Sequence, residues 1–176
     1  MTPTLALPLT HRIGWIAGAL TVGLALPFLV HLVPVEAGPP MGARWLPIFL
    51  AAGLAAMRLD PLSALAIAVA TPLLNNVVTG MPAGPMLPTV LLELVLVVTT
   101  LIAVRTLTPS HVKSWALRLA LAPSYLLAAV LTSLALAGDA PTATLAFAFT
   151  WSWPGLITLT IAGALFAPRP QPKDAA

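Results

Sequence analysis

From Met86 to Val104, nineteen residues pass with a single charge, Glu93, and comparable apolar runs recur along the whole chain. A helix rises about 1.5 Å per residue, so about 20 apolar residues cross the hydrocarbon core of a bilayer. Inside that core the backbone has no water to bond to and must satisfy itself, which helices do within one segment. Of the 176 residues 59% are hydrophobic and 7% charged, whereas a soluble domain carries about a quarter charged residues. The sequence therefore predicts an all-α integral membrane protein, one domain over residues 1–176. Its 19 prolines and 11 glycines fit that setting, because neighbouring helices and hydroxyl side chains re-satisfy freed backbone groups. With no cysteine in the chain, disulfides, iron–sulfur ligation and thiol nucleophiles are excluded. The first segment, MTPTLALPLTHR, lacks the early basic region of a signal peptide, and the apolar run after it is too long for one. It reads as retained.

Six spans are predicted: Ile13–Val35, Trp45–Met57, Pro61–Val78, Met86–Val104, Ser114–Ala137 and Thr142–Phe166. The second is short and reads as a locally thinned crossing or a half-span packed against its neighbours. Basic residues set the orientation. With the N-terminus inside, Arg12, Arg58, Arg105, Lys113, Arg169 and Lys173 all fall on the inner side. The outer loops keep Arg44, Glu36 and Asp139. Both termini are thus expected to be cytoplasmic, in a bundle of six transmembrane helices.

One stretch is not membrane filler. TPLLNNVVTGMPAGPMLPTVLLEL (Thr71–Leu94) joins two apolar runs through a Gly/Pro hinge, with Asn75, Asn76 and Thr79 before it and Glu93 after it. Glu93 falls eight residues beyond Pro85, on the order of 12 Å below the hinge. A carboxylate there must be paired, protonated or facing a watery cavity, and Arg44 is one possible counter-ion. The amides offer hydrogen bonds either to a ligand or between helices.

Helix 1 carries small residues at four-residue spacing: Gly14 and Gly18, Ala19 and Gly23, and the series Ala17, Thr21, Ala25. Such spacing permits close approach of another helix, either inside the bundle or on a partner protein. Pro27 is expected to kink this helix. The Pro34–Arg44 loop reads as a lid over a site or as a solvated connector. Arg118 is expected to snorkel to the inner interface, with Tyr125, Thr132 and Ser133 further out on the same helix. Trp151 and Trp153 flank Ser152 near mid-depth of the last span, ahead of Pro154. Either they pack at a kink or one of them stacks on a flat ligand ring.

Several chemistries are missing from the sequence. It has no GxxxxGK[ST] loop for a nucleotide, no HExxH or similar cluster for a metal and no GxSxG nucleophile. Glu93 is the lone acid well inside a span, so a carboxylate dyad has no second member. No enzyme, cofactor, metal or nucleic-acid reading follows.

The run WLPIFLAAGL (Trp45–Leu54), then PLLNNVVTGMP (Pro72–Pro82) and MLPTVLLEL (Met86–Leu94) resembles the substrate-binding S components of energy-coupling factor (ECF) vitamin transporters. One branch of that family has a proline in its second helix, a TGMP hinge and an LPxxxxEL entry to helix 4. At the second helix this chain has Trp45 and Leu46 where the branch commonly has Met-His, so no particular substrate is carried over. The resemblance implies a small plasma-membrane (inner-membrane) protein that captures a vitamin or related micronutrient from outside. Energy would come from a separate transmembrane coupling subunit and two ATPase subunits, docked on a small-residue stripe such as Ala17, Thr21 and Ala25, or Ala19 and Gly23. Asn75, Asn76, Thr79, Glu93, Arg44, Tyr125 and one of Trp151 and Trp153 would line the site. The rival readings are a structural or assembly subunit without a ligand and an autonomous secondary transporter.

Overall fold

A computed structural model describes residues 9–34, 38–137 and 141–168. Glu36, Asp139, Arg169 and Lys173, used above for orientation, lie outside the described residues, as does part of the Pro34–Arg44 loop. Regular structure among the described residues is helical throughout: α1 (Leu9–His31), α2 (Met41–Trp45), α3 (Pro47–Arg58), α4 (Pro61–Thr79), α5 (Leu87–Leu107), α6 (Ser110–Thr132), α7 (Pro141–Trp151) and α8 (Trp153–Phe166). A 3-10 turn (Gly84–Met86) leads into α5, and a π-helical segment (Ser133–Ala137) continues α6.

Four helices are long and apolar enough to cross a membrane: α1, α4, α5 with its leading turn, and α6 with its π-helical extension. Taken together α7 and α8 also qualify, but they bend by 80° at Ser152. The single span expected over Thr142–Phe166 is therefore a broken one. Ser152 is fully buried and its hydroxyl donates to the Ala43 carbonyl at 2.7 Å, so the break is fitted to α2. Pro154 in the first turn of α8 restarts the helix where no donor is required.

The segment expected to form a short second span runs from the end of α2 through α3, with α3 its main part. The 12 residues of α3 reach about 18 Å, less than the ~30 Å of a hydrocarbon core. The bundle shields it instead: Ala51, Ala52, Ala55 and Ala56 have no exposed surface, and α1, α4, α5 and α8 pack around it. Leu46, in the left-handed region at φ 53°, turns the chain from α2 into α3.

One end of the bundle is fixed by arginines. Arg12 on α1 pairs with Asp60 at 2.8 Å and bonds Ser63 on α4. Arg58 Nε donates to the Phe166 carbonyl, capping α8, and Arg105 donates to the carbonyls of Ala56 and Leu59 at the end of α3. Helix C-termini carry unsatisfied carbonyls and partial negative charge, so these guanidiniums fill a real deficit. The starts of α1 and α4 and the ends of α3, α5 and α8 therefore meet at this end.

Asp60 also caps α4, accepting from the Ser63 N–H at 3.1 Å and the Ser63 hydroxyl at 2.8 Å. Partial burial pushes its carboxyl up, but the Ser63 hydrogen bonds and the Arg12 guanidinium outweigh that and hold it below its ordinary value. A depressed carboxyl stabilises the fold above the unfolded pKa of about 3.9, and the benefit is lost as pH falls through the lower folded value. The cap is worth about 1 kcal/mol. Thermal denaturation in detergent should show Asp60→Ala destabilised at neutral pH, with the gap to wild type closing in acid below the carboxyl range.

Close approach of helices relies on glycines. A Cβ on Gly163 would stand 2.5 Å from the Arg118 carbonyl oxygen, against backbone that cannot rotate away, whereas Gly14 has open space around it. Gly163→Ala is expected to lower stability by about 1–3 kcal/mol. Gly14→Ala should be neutral or stabilising by about 0.5–1 kcal/mol; both follow from melting curves of the purified variants.

Candidate functional site

The hinge amides act first on the backbone. Pro27, inside α1, has no N–H, so the Gly23 carbonyl four residues earlier loses its helical donor. Asn75 supplies one: its Nδ2 donates to Gly23 O at 2.7 Å and to Thr71 O at 3.1 Å, across the α1–α4 contact. Asn76, one residue on, points elsewhere and donates to the Pro82 carbonyl at 2.8 Å, closing the hinge. Thr79 donates to Asn75 O and accepts from the Met81 N–H, and Gly80 leaves the helix at φ 73°. All three polar side chains expected to face a ligand have backbone partners.

Glu93 behaves differently. It lies six residues into α5, about 9 Å along the helix, and its carboxyl has no hydrogen-bond or ion-pair partner among the described residues. It lines a cavity of about 350 Å³. Thr89 and Glu93 form the α5 wall, Ala129, Thr132, Ser133 and Leu136 the α6 and π-helical wall, and Ala143, Thr144 and Phe147 the α7 wall. The Thr144 hydroxyl donates to Ser133 Oγ at 2.9 Å across two of these walls. Thr132 is 0% exposed and its hydroxyl has no partner among the described residues. The cavity sits at the hinge end, opposite the arginines that join α1, α3, α4, α5 and α8.

The structure does not bring the other predicted site residues into this cavity wall. Arg44 lies with its guanidinium over the Trp151 ring, 5.3 Å from the centroid, so Trp151 stacks on a cation of the chain itself. Trp153 opens α8 and is 56% exposed. Tyr125 is buried edge-on against Phe49, with centroids 4.8 Å apart. It stands two turns below Thr132 on the same face of α6, close enough to Glu93 to interact electrostatically and with Ser152 beside its hydroxyl.

The two small-residue stripes of α1 part company. Ala19 and Gly23 are buried inside the bundle, where a Cβ on Gly23 would meet Thr71 and Ala51. Ala17, Thr21 and Ala25 are exposed along the outer face, beside the open Gly14 and Gly18.

Comparison with known protein families, characterised proteins and solved structures returns no match. The functional reading thus rests on the chain's own geometry. Sequence reasoning missed the hydroxyls of Thr89, Ser133 and Thr144 and the ring of Phe147 as companions of Glu93. Thr132 and Ser133 had been marked only by position on their helix. Their one sequence signal is depth: each falls near the hinge end of its apolar run, level with Glu93 once the helices alternate in direction.

The role of Asn75 can be isolated with a double-mutant cycle. Asn75→Ala leaves a buried carbonyl unpaired and should cost about 1–3 kcal/mol. Pro27→Ala gives α1 its own donor to Gly23, so Asn75→Ala on that background should cost clearly less, as read from thermal or denaturant unfolding in detergent.

Proposed function

We propose that this chain is the membrane-embedded substrate-capture subunit of an ECF-type importer, binding a vitamin or related micronutrient from outside the cell. The observation that carries the reading is the Glu93 cavity: a carboxylate and a buried hydroxyl, each without a partner among the described residues, border one open hollow of an apolar bundle. Polar groups at such depth are costly and mark ligand or ion pathways, and a cavity of about 350 Å³ lies in the usual range for small-molecule sites, about 300–1,000 Å³.

In this reading α3 is a short crossing and the α7–α8 pair a broken one, giving six crossings. The arginine-rich end faces the cytoplasm by the positive-inside rule, both termini are cytoplasmic, and the cavity opens outward from the plasma membrane. Capture is by binding, with no covalent step. Glu93 accepts from the ligand, the hydroxyls of Thr132, Ser133, Thr144 and Thr89 fix its orientation, and Phe147 offers a ring face. The hinge of Asn76 and Thr79 positions the head of α5, and so Glu93. The exposed Ala17, Thr21 and Ala25 stripe is the docking face for a transmembrane coupling subunit, which two ATPase subunits energise. A purely structural subunit is the second reading, favoured by the engagement of Asn75, Asn76 and Thr79 in backbone contacts.

Native mass spectrometry of gently purified full-length protein separates the two. The capture reading predicts a copurified small molecule in wild type that is lost in Glu93→Ala while the fold persists by circular dichroism. Wild-type protein carrying no small molecule in any preparation favours the structural subunit.

A further inference from the structure

The cavity's chemistry narrows its ligand. We propose that the Glu93 cavity, on the capture reading given above, takes a small organic cation that carries N–H donors and no anionic group.

The charge of the wall comes first. Among the described residues that line the cavity, Glu93 is the one ionisable group, with no lysine, arginine or histidine beside it. Arg44 lies over Trp151 and is not among the described residues of the wall. A phosphate or carboxylate ligand would meet like charge with nothing to offset it. In a low-dielectric wall that repulsion is strong, and an ammonium or amidinium meets attraction in its place. A cation also gives the carboxylate the counter-charge that a buried acid requires.

Hydroxyl geometry adds an independent observation. Six helical threonines return their hydroxyls to the carbonyl four residues back: Thr71 to Ile67, Thr79 to Asn75, Thr99 to Val95, Thr106 to Ile102, Thr158 to Pro154 and Thr160 to Leu156, while Thr21, Thr100 and Thr150, none of them buried, do not. Thr132 does not, although it is helical and fully buried. An unmade buried hydrogen bond is costly, and Thr132 borders the cavity. The next five residues are π-helical, an irregularity that recurs at functional sites, and they bring Ser133 and Leu136 into the wall.

Size and shape complete the description. About 350 Å³ is at the small end of ligand sites, which limits the occupant to a compact molecule of one ring or a comparable chain. Phe147 supplies the apolar face, and an aromatic face attracts a cation through its ring quadrupole.

Three isosteres test this: benzylammonium, benzyl alcohol and benzoate, titrated against the full-length protein in lipid nanodiscs by calorimetry and thermal shift. Benzylammonium is expected to bind and to raise the melting temperature, with benzoate silent and benzyl alcohol at least tenfold weaker. Glu93→Gln, which keeps the shape, should weaken benzylammonium by at least about 30-fold, and Thr132→Val by roughly 2- to 10-fold. Binding of benzoate or benzyl alcohol as tight as that of benzylammonium, or full benzylammonium binding in Glu93→Gln, overturns the cation assignment. So does a copurified anion. In those cases a molecule retained by wild type and lost in Glu93→Ala leaves the capture reading standing. If no probe binds and nothing copurifies, both fall.

Discussion

A carbonyl that loses its donor inside a bilayer has no water to turn to, and this bundle is arranged around one such carbonyl. Pro27 removes the donor for Gly23 O, and Asn75 restores it from a different helix. The bond can form only where α1 and α4 are in close contact, and Gly23 permits that contact because any larger side chain would strike Thr71 and Ala51. Proline, glycine and asparagine thus act as one unit. Once α1 and α4 are joined, α3 is enclosed between them and its alanine face is buried.

The two ends of the bundle solve the same backbone problem with opposite means. At one end, Arg58 and Arg105 reach carbonyls at the ends of α8 and α3, while Arg12 links the beginnings of α1 and α4. These contacts cross between helices and hold that end in register. At the other end, short-range bonds dominate: Asn76 to Pro82, Thr79 to Asn75, Thr144 to Ser133. They shape the local chain and leave a hollow between α5, α6 and α7. Among the described residues, the helix-bridging Arg12, Arg58 and Arg105 gather at the clamped end, and Glu93 is the acid at the other.

Much of the fold was legible in the sequence, since apolar run length reports bilayer thickness directly. The limits of α4 differ from expectation by one residue, Thr79 against Val78, because Asp60–Pro61 and Gly80 are strong start and stop signals. The break at Ser152 was not legible. Pro154 announces a kink, but an angle of 80° depends on where Ala43 stands to receive the Ser152 hydroxyl, and that is a tertiary fact. Glu93 stood out because a charge in an apolar run is anomalous by itself. Its hydroxyl companions did not, since threonine and serine in a span are ordinary until their partners are known. Asn75 and Asn76 illustrate the same limit: adjacent positions on a helix face different neighbours, and sequence does not say which.

The break between α7 and α8 has a mechanical side. Of its side chains α7 buries Ala148 alone, while the α5 and α6 walls are built into the core through Leu94, Val97, Leu121 and Ala128. The hollow therefore has two stiff sides and one compliant side, hinged at Ser152. Any change in its width falls on α7, and α8 together with the arginine-clamped end stays in place.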